Sequence, residues 1–156
     1  MYVDLVPAVA GCLYLVGFAQ VGAPHAAIIL AQSAEAGRMV HITAASGVWR
    51  YQARNQKIQG SMSLTSLIKI RDISKGSLTQ EALEQIVEQV AVPAGDEDGE
   101  CLVWVKKAIE RLAEEGVVTL VSVESLADEF STFCAGNKSR ASSSRYPNEM
   151  TSSYCS

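Results

Sequence analysis

Hydrophobic spacing in this chain changes character once. Up to about residue 73 the apolar residues alternate or run without a break, as strands do; from Ser77 they recur every three or four residues, as helices do. A chain that places its strands first and its helices afterwards points to an α+β domain, with an antiparallel sheet packed against about three helices. The helical half is clearest between Gly99 and Gly116. There Cys101, Trp104, Val105, Ala108, Ile109 and Leu112 fall on one face, and Lys106, Lys107, Glu110, Arg111 and Glu114 stay off it. Gly116 supplies a stop, because glycine takes the left-handed conformation without a Cβ penalty. Asp98 or Gly99 can cap the start.

On either side of this helix the spacing predicts a helix from Ser77 to Val90, with Ser77 and Gln80 forming a capping box. Another is predicted after Ser122, with Leu126, Ala127, Phe130 and Phe133 turned inward. The strand half offers Cys12–Phe18, Ala26–Gln32, Arg38–Thr43, Val48–Ala53 and Leu64–Ile73, with a polar loop over Asn55–Ser63. After Gly136 the chain is rich in Ser, Asn, Arg and Thr and carries little to bury. The expectation is one domain over residues 1–136 and a mobile tail over 137–156.

Composition narrows the classes of function. A length of 156 residues and 48% hydrophobic content suit one globular domain with a sizeable core. A net charge of −4 leaves no basic footprint, so nucleic acid is not an expected partner. The apolar stretch Leu5–Ala19 follows Asp4 rather than a basic segment, and no Lys or Arg precedes Arg38. Pro7, Gly11 and Gly17 interrupt it, and it is too short to span a membrane. It reads as a strand, not a leader, and with few cysteines the expected location is the cytoplasm. The four cysteines show no CxxC spacing and there are two histidines, so no metal site is expected. No phosphate-binding glycine loop appears and residues 95–99 lack the spacing of an EF-hand, so no cofactor is expected.

The chemistry-bearing residues are Cys101, His25 and His41. Cys101 lies in the first turn of its helix, where unpaired amides and the helix dipole favour the thiolate. Its bland reading is a small buried hydrophobe. His25 opens one strand and His41 lies in the next, so the two can meet across the ladder if those strands pair. A lone strand histidine is otherwise often a satisfied core residue. A thiol at a helix start, an imidazole base and a group that orients the base are what nucleophilic catalysis needs. Against this, Asp96, Glu97, Asp98 and Glu100 put carboxylates near the thiol, which disfavours thiolate. Trp49, Tyr51 and Trp104 can line a substrate pocket, although their spacing also suits a core. Arg50 and Arg54 can bind a substrate carboxylate or simply form a solvated face.

The order of these pieces carries a resemblance. His25-Ala-Ala-Ile28, then Met39-Val-His41, then Gly-Glu-Cys101-Leu-Val-Trp104 at a helix start resembles the permuted papain-like group. That group includes the NlpC-like peptidases, the PPPDE peptidases and the lecithin retinol acyltransferase-like enzymes. The chain also resembles small fungal proteins with a Cys-x-x-Trp-Val helix after a histidine-containing sheet. The resemblance covers about residues 11–133. Ala26 stands where an aromatic is usual and Glu100 where the acyltransferase-like enzymes have Asn. It implies a permuted papain-like fold, with Cys101 as nucleophile, His25 as base and His41 orienting it. It also implies a thiol-dependent hydrolase or acyl/amide transferase on a small molecule or short peptide, in fungal specialised metabolism. Two alternatives stay open: a cyclase or isomerase using the same site, and a non-catalytic binding module that keeps the papain-like shell.

Overall fold

A computed structural model describes residues 6–20, 24–44, 47–94, 100–141 and 146–156 of the chain. The expected caps at Asp98 and Gly99, and the carboxylates of Asp96, Glu97 and Asp98, lie outside the described residues. The architecture is α+β: a six-stranded mixed sheet with three helices on one face.

The strands are β1 (Leu13–Phe18), β2 (His25–Ala31), β3 (Ala36–Thr43), β4 (Arg50–Lys57), β5 (Leu64–Arg71) and β6 (Asn148–Thr151). Their order across the sheet is β4-β3-β2-β1-β5-β6. All neighbours run antiparallel except β5 and β6, which are parallel. The continuous apolar runs of β1 and β2 occupy the middle of the sheet, where both faces are covered. Alternation assigns the faces. Leu13 and Leu15, Ala26 and Ile28, Val40 and Ile42, and Ile68 and Ile70 look toward the helices. Tyr14 and Val16, Ala27 and Ile29, Met39, and Leu67 look the other way.

Helix α1 (Gln80–Val87), α2 (Glu100–Glu114) and α3 (Val123–Gly136) close the first face. Helix α2 lies over β2 and β3, and α3 over β1 and β5. Trp104, Ile109 and Leu112 of α2 and Phe130 of α3 are fully buried there. Each contributes about 1.5–3 kcal/mol by leaving water. Gly17 of β1 lets α3 come close, since a Cβ at that position would collide with Cys134 Sγ. The Ser122 cap forms as expected, its hydroxyl accepting from Ser125 N at 3.1 Å. Helix α1 instead starts two residues later than expected. Thr79 takes the capping position, its Oγ1 accepting from Ala82 N at 3.1 Å, and no Ser77–Gln80 box closes the helix.

Two expectations need correction. Strand β4 runs on through Asn55–Lys57, which the polar composition had suggested was loop. At this end the edge strand is held by backbone pairing of Asn55, Gln56 and Lys57 with Arg38, Gly37 and Ala36, which polar side chains do not prevent. The larger correction concerns residues 137–156. The described residues among them, 137–141 and 146–156, are docked rather than a mobile tail, because β6 pairs with β5 and Cys155 bridges to Leu120 at the core. Tyr146 donates to Ala34 O at 2.6 Å and accepts from Ala8 N at 2.8 Å, which ties the second face of the sheet to the N-terminal segment. Asn137 is buried and donates to Ser66 Oγ at 3.0 Å. The segment docks through backbone pairing and a handful of side chains, so composition alone missed it.

Truncation after Gly136 should therefore destabilise the protein by more than about 2 kcal/mol and lower the thermal midpoint by about 5 °C or more. Thermal unfolding followed by circular dichroism checks this. An unchanged midpoint would mean that β6 adds nothing to the fold.

Candidate functional site

One end of the sheet gathers the residues singled out above. Strands β1 and β3 finish there, and β2 and β4 begin. In the register that pairs Ile28 with Val40, His25 and His41 are diagonal neighbours on the face away from the helices. Their rings touch: His25 Nε2 and His41 Nδ1 are 2.8 Å apart, with the rings nearly perpendicular at 77°. His41 is paired with Gln52 across β3 and β4, and His41 Nε2 meets Gln52 Oε1 at 2.8 Å. A single hydrogen-bonded chain thus crosses three adjacent strands.

The chain has a direction. Gln52 Oε1 can only accept, so His41 Nε2 carries a proton. A neutral imidazole protonated on Nε2 has a lone pair on Nδ1, which accepts from His25 Nε2–H. That leaves Nδ1 of His25 as a bare acceptor, the form a general base needs. Both rings are held neutral. Burial lowers the His25 pKa to about 4, with the His41 ring and the Arg54 charge adding to the effect. Burial also lowers His41; its bond to Gln52 opposes this, and Arg54 reinforces it.

Cys101 is buried in the first turn of α2, as its spacing indicated. Its Sγ donates a long contact to the carbonyl oxygen of Pro24 at 4.0 Å. Pro24 precedes His25, and its carbonyl oxygen is about 2.8 Å from the next Cα, so the thiol lies within about 7 Å of the His25 Cα. The thiol packs on the helix side of the sheet, with Ala26 and Ile28. The His25 ring follows the opposite alternation and opens onto the other face. The structure therefore joins the two histidines in direct contact and sets the thiol beside the backbone of the first, across the strand end from its ring.

A cavity of about 560 Å³ opens on the histidine side. Phe18, Met39 and Trp49 give it apolar walls, and Thr43, Arg54, Gln56, Ser61 and Ser63 give it polar ones. Of the three aromatics expected around a substrate, Trp49 is placed there. Tyr51 and Trp104 are not, which corrects that expectation. They face the helices, with ring centroids 5.9 Å apart, and Trp104 Nε1 donates to Val90 O at 3.3 Å. Tyr51 has the opposite parity to Gln52, and Trp104 belongs to the inward stripe of α2, so both serve the core. Gln52 and Gln56 are the site residues that sequence reasoning did not assign, whereas Arg54, read as a carboxylate binder or a solvated face, lies on the cavity wall. Their period of two on β4 was visible; the register that puts Gln52 opposite His41 was not. Among the described residues, no group of three or more His, Cys, Asp or Glu side chains could hold a metal ion.

Comparison with known proteins gives a family. Residues 13–119 match the DUF6540 family, described as a family of unknown function. The chain belongs to that family. The matched segment runs from β1 past the end of α2 and contains His25, His41, Gln52, Arg54 and Cys101. No curated protein and no solved structure matches the chain.

The lowered imidazole pKa values couple to stability. The unfolded chain takes up a proton near pH 6.5, whereas folded His25 resists until about pH 4. Stability from this group is full above pH 6.5 and is lost as the pH falls through that window. Urea unfolding at pH 7 and pH 4.5 should show wild type losing more stability than His25→Gln over the same interval. Equal losses in both proteins would contradict the burial of a neutral ring.

Proposed function

We propose that this protein is a thiol-dependent hydrolase or acyl/amide transferase of the permuted papain-like kind, acting on a small molecule or short peptide. The observation that carries this reading is the hydrogen-bonded chain Gln52–His41–His25. It leaves an unprotonated Nδ1 on His25 at the same end of the sheet as a helix-start thiol. In this mechanism the His25 side chain, which faces away from the thiol in this structure, first turns at the strand end; its Nδ1 then takes the Cys101 proton and Sγ attacks the substrate carbonyl carbon. The tetrahedral adduct collapses as the leaving group departs with the proton held by His25. Water, or a second nucleophile, then attacks the acyl-thioester, gives its proton to His25 and releases Cys101. First-turn amides of α2 are suited to the developing oxyanion. His41 and Gln52 act through His25, by fixing its tautomer. A cyclisation would use the same steps with an internal nucleophile.

A second reading has its own support. The His25 ring opens on the face opposite the thiol, and Cys101 is not part of the cavity wall. That arrangement suits a binding module in which the histidines are cavity donors and Cys101 is core. As to compartment, among the described residues no helix is long and apolar enough to cross a membrane. That is compatible with the cytoplasmic setting we propose.

Chemical modification separates the two readings. Iodoacetamide at neutral pH should label Cys101 ahead of Cys12, Cys134 and Cys155, which are also buried. His25→Ala should slow that labelling at least about tenfold. A p-nitrophenyl ester should leave an acyl group on Cys101 in wild type and none on that residue in Cys101→Ala. His41→Ala should cost less than His25→Ala, and the double variant little more than His25→Ala alone. Labelling of Cys101 no faster than the other thiols, with no acyl adduct, would leave the binding module as the function.

A further inference from the structure

We propose that the cavity beside the histidines binds a small amphipathic carboxylate, its anionic end on Arg54 and its apolar body against Phe18, Met39 and Trp49. Among the described residues, the cavity wall holds one permanent cation, Arg54, and no Asp or Glu. This occurs in a chain whose 17 acidic residues outnumber its 13 Lys and Arg. Arg54 is placed by the sheet. It stands opposite Met39 in the β3–β4 register and two residues along from Gln52, so it shares the face of the imidazole chain. Its Nη2 donates to Gln56 Oε1 at 3.0 Å, which orients the guanidinium along the wall and leaves further N–H groups. A planar guanidinium matches a carboxylate through two parallel hydrogen bonds. The adjacent imidazoles, being neutral, leave Arg54 as the cationic group on the described wall.

The site also explains a cost built into the cavity. The positive charge of Arg54 lowers both imidazole pKa values. A bound carboxylate would offset that contribution, which is smaller than the effect of burial. For the reaction, the inference rests on the thiol chemistry proposed above, in which a substrate that fills the Arg54 subsite is held beside the imidazole that serves as base. For binding it stands alone, because neither the cation nor the apolar wall involves Cys101.

The test uses the full chain, which has two histidines to follow. Butyrate, 4-phenylbutyrate, 4-phenylbutyramide and phenylpropyl phosphate are titrated while the histidine ring protons are followed by NMR. 4-Phenylbutyrate should shift the signals of both rings saturably and bind at least about tenfold tighter than the amide or than butyrate. Arg54→Gln should weaken it about tenfold or more, Arg54→Lys less, and Arg50→Gln should leave it unchanged. Cys101→Ala should bind it as wild type does. A failure of the thiol chemistry with retained binding would thus be distinguished from a failure of this proposal. Equal affinity for acid and amide, unchanged binding in Arg54→Gln, or a tighter phosphate than carboxylate would each overturn it.

Discussion

A sheet whose central strands are apolar on both faces must be covered on both. This requirement shapes the rest of the molecule. Strands β1 and β2 present Leu13, Leu15, Ile28 and Leu30 to one side and Tyr14, Val16, Ala27 and Ile29 to the other. Three helices close the first side in a layer continuous with Trp104 and Phe130. Among the described residues, no helix covers the second side. Ala8, Ile58 and the ring of Tyr146 do so piecemeal, fastened by the two hydrogen bonds of the tyrosine hydroxyl. Where that cover stops, the sheet is open, and the histidines occupy the gap.

Placement at the rim of a core accounts for the electrostatics of the site. His25 and His41 are buried enough to be kept neutral, yet they line a cavity that a ligand can enter. The imidazoles satisfy one another and Gln52 rather than water, so the desolvation cost is offset by two short hydrogen bonds. The outermost member, Gln52, lies on an exposed edge strand. A surface residue thereby sets the protonation of a ring two strands away. Arg54, one step along the same face, supplies the local positive charge that the rings do not.

Much of this was legible in the sequence, for physical reasons that also explain where legibility ended. The inward stripe of α2 is read from the spacing of Cys101, Trp104, Val105, Ala108, Ile109 and Leu112, because helical period is a local property. The pairing of His25 with His41 follows once β2 and β3 are neighbours, and a short connection makes that the default. Gln52 needed the β3–β4 register, which depends on long-range packing. A shift of one residue would have put Tyr51 in its place and buried the wrong face. The face of Cys101 relative to the His25 ring was hidden for the same reason. Residues 148–155 were missed because a strand added in parallel at an edge is held by backbone bonds, which composition does not record.

The central claim is that Gln52 polarises the two imidazoles so that His25 offers a bare Nδ1. Nitrogen-15 NMR of the histidine rings at neutral pH tests it most directly, because protonated and bare ring nitrogens differ strongly in chemical shift. The account predicts both rings protonated on Nε2 and bare on Nδ1, with the His41 tautomer preference lost in Gln52→Leu. A proton on Nδ1 of His25, with Gln52 presenting its amide NH₂ to His41, would reverse the chain and contradict the account.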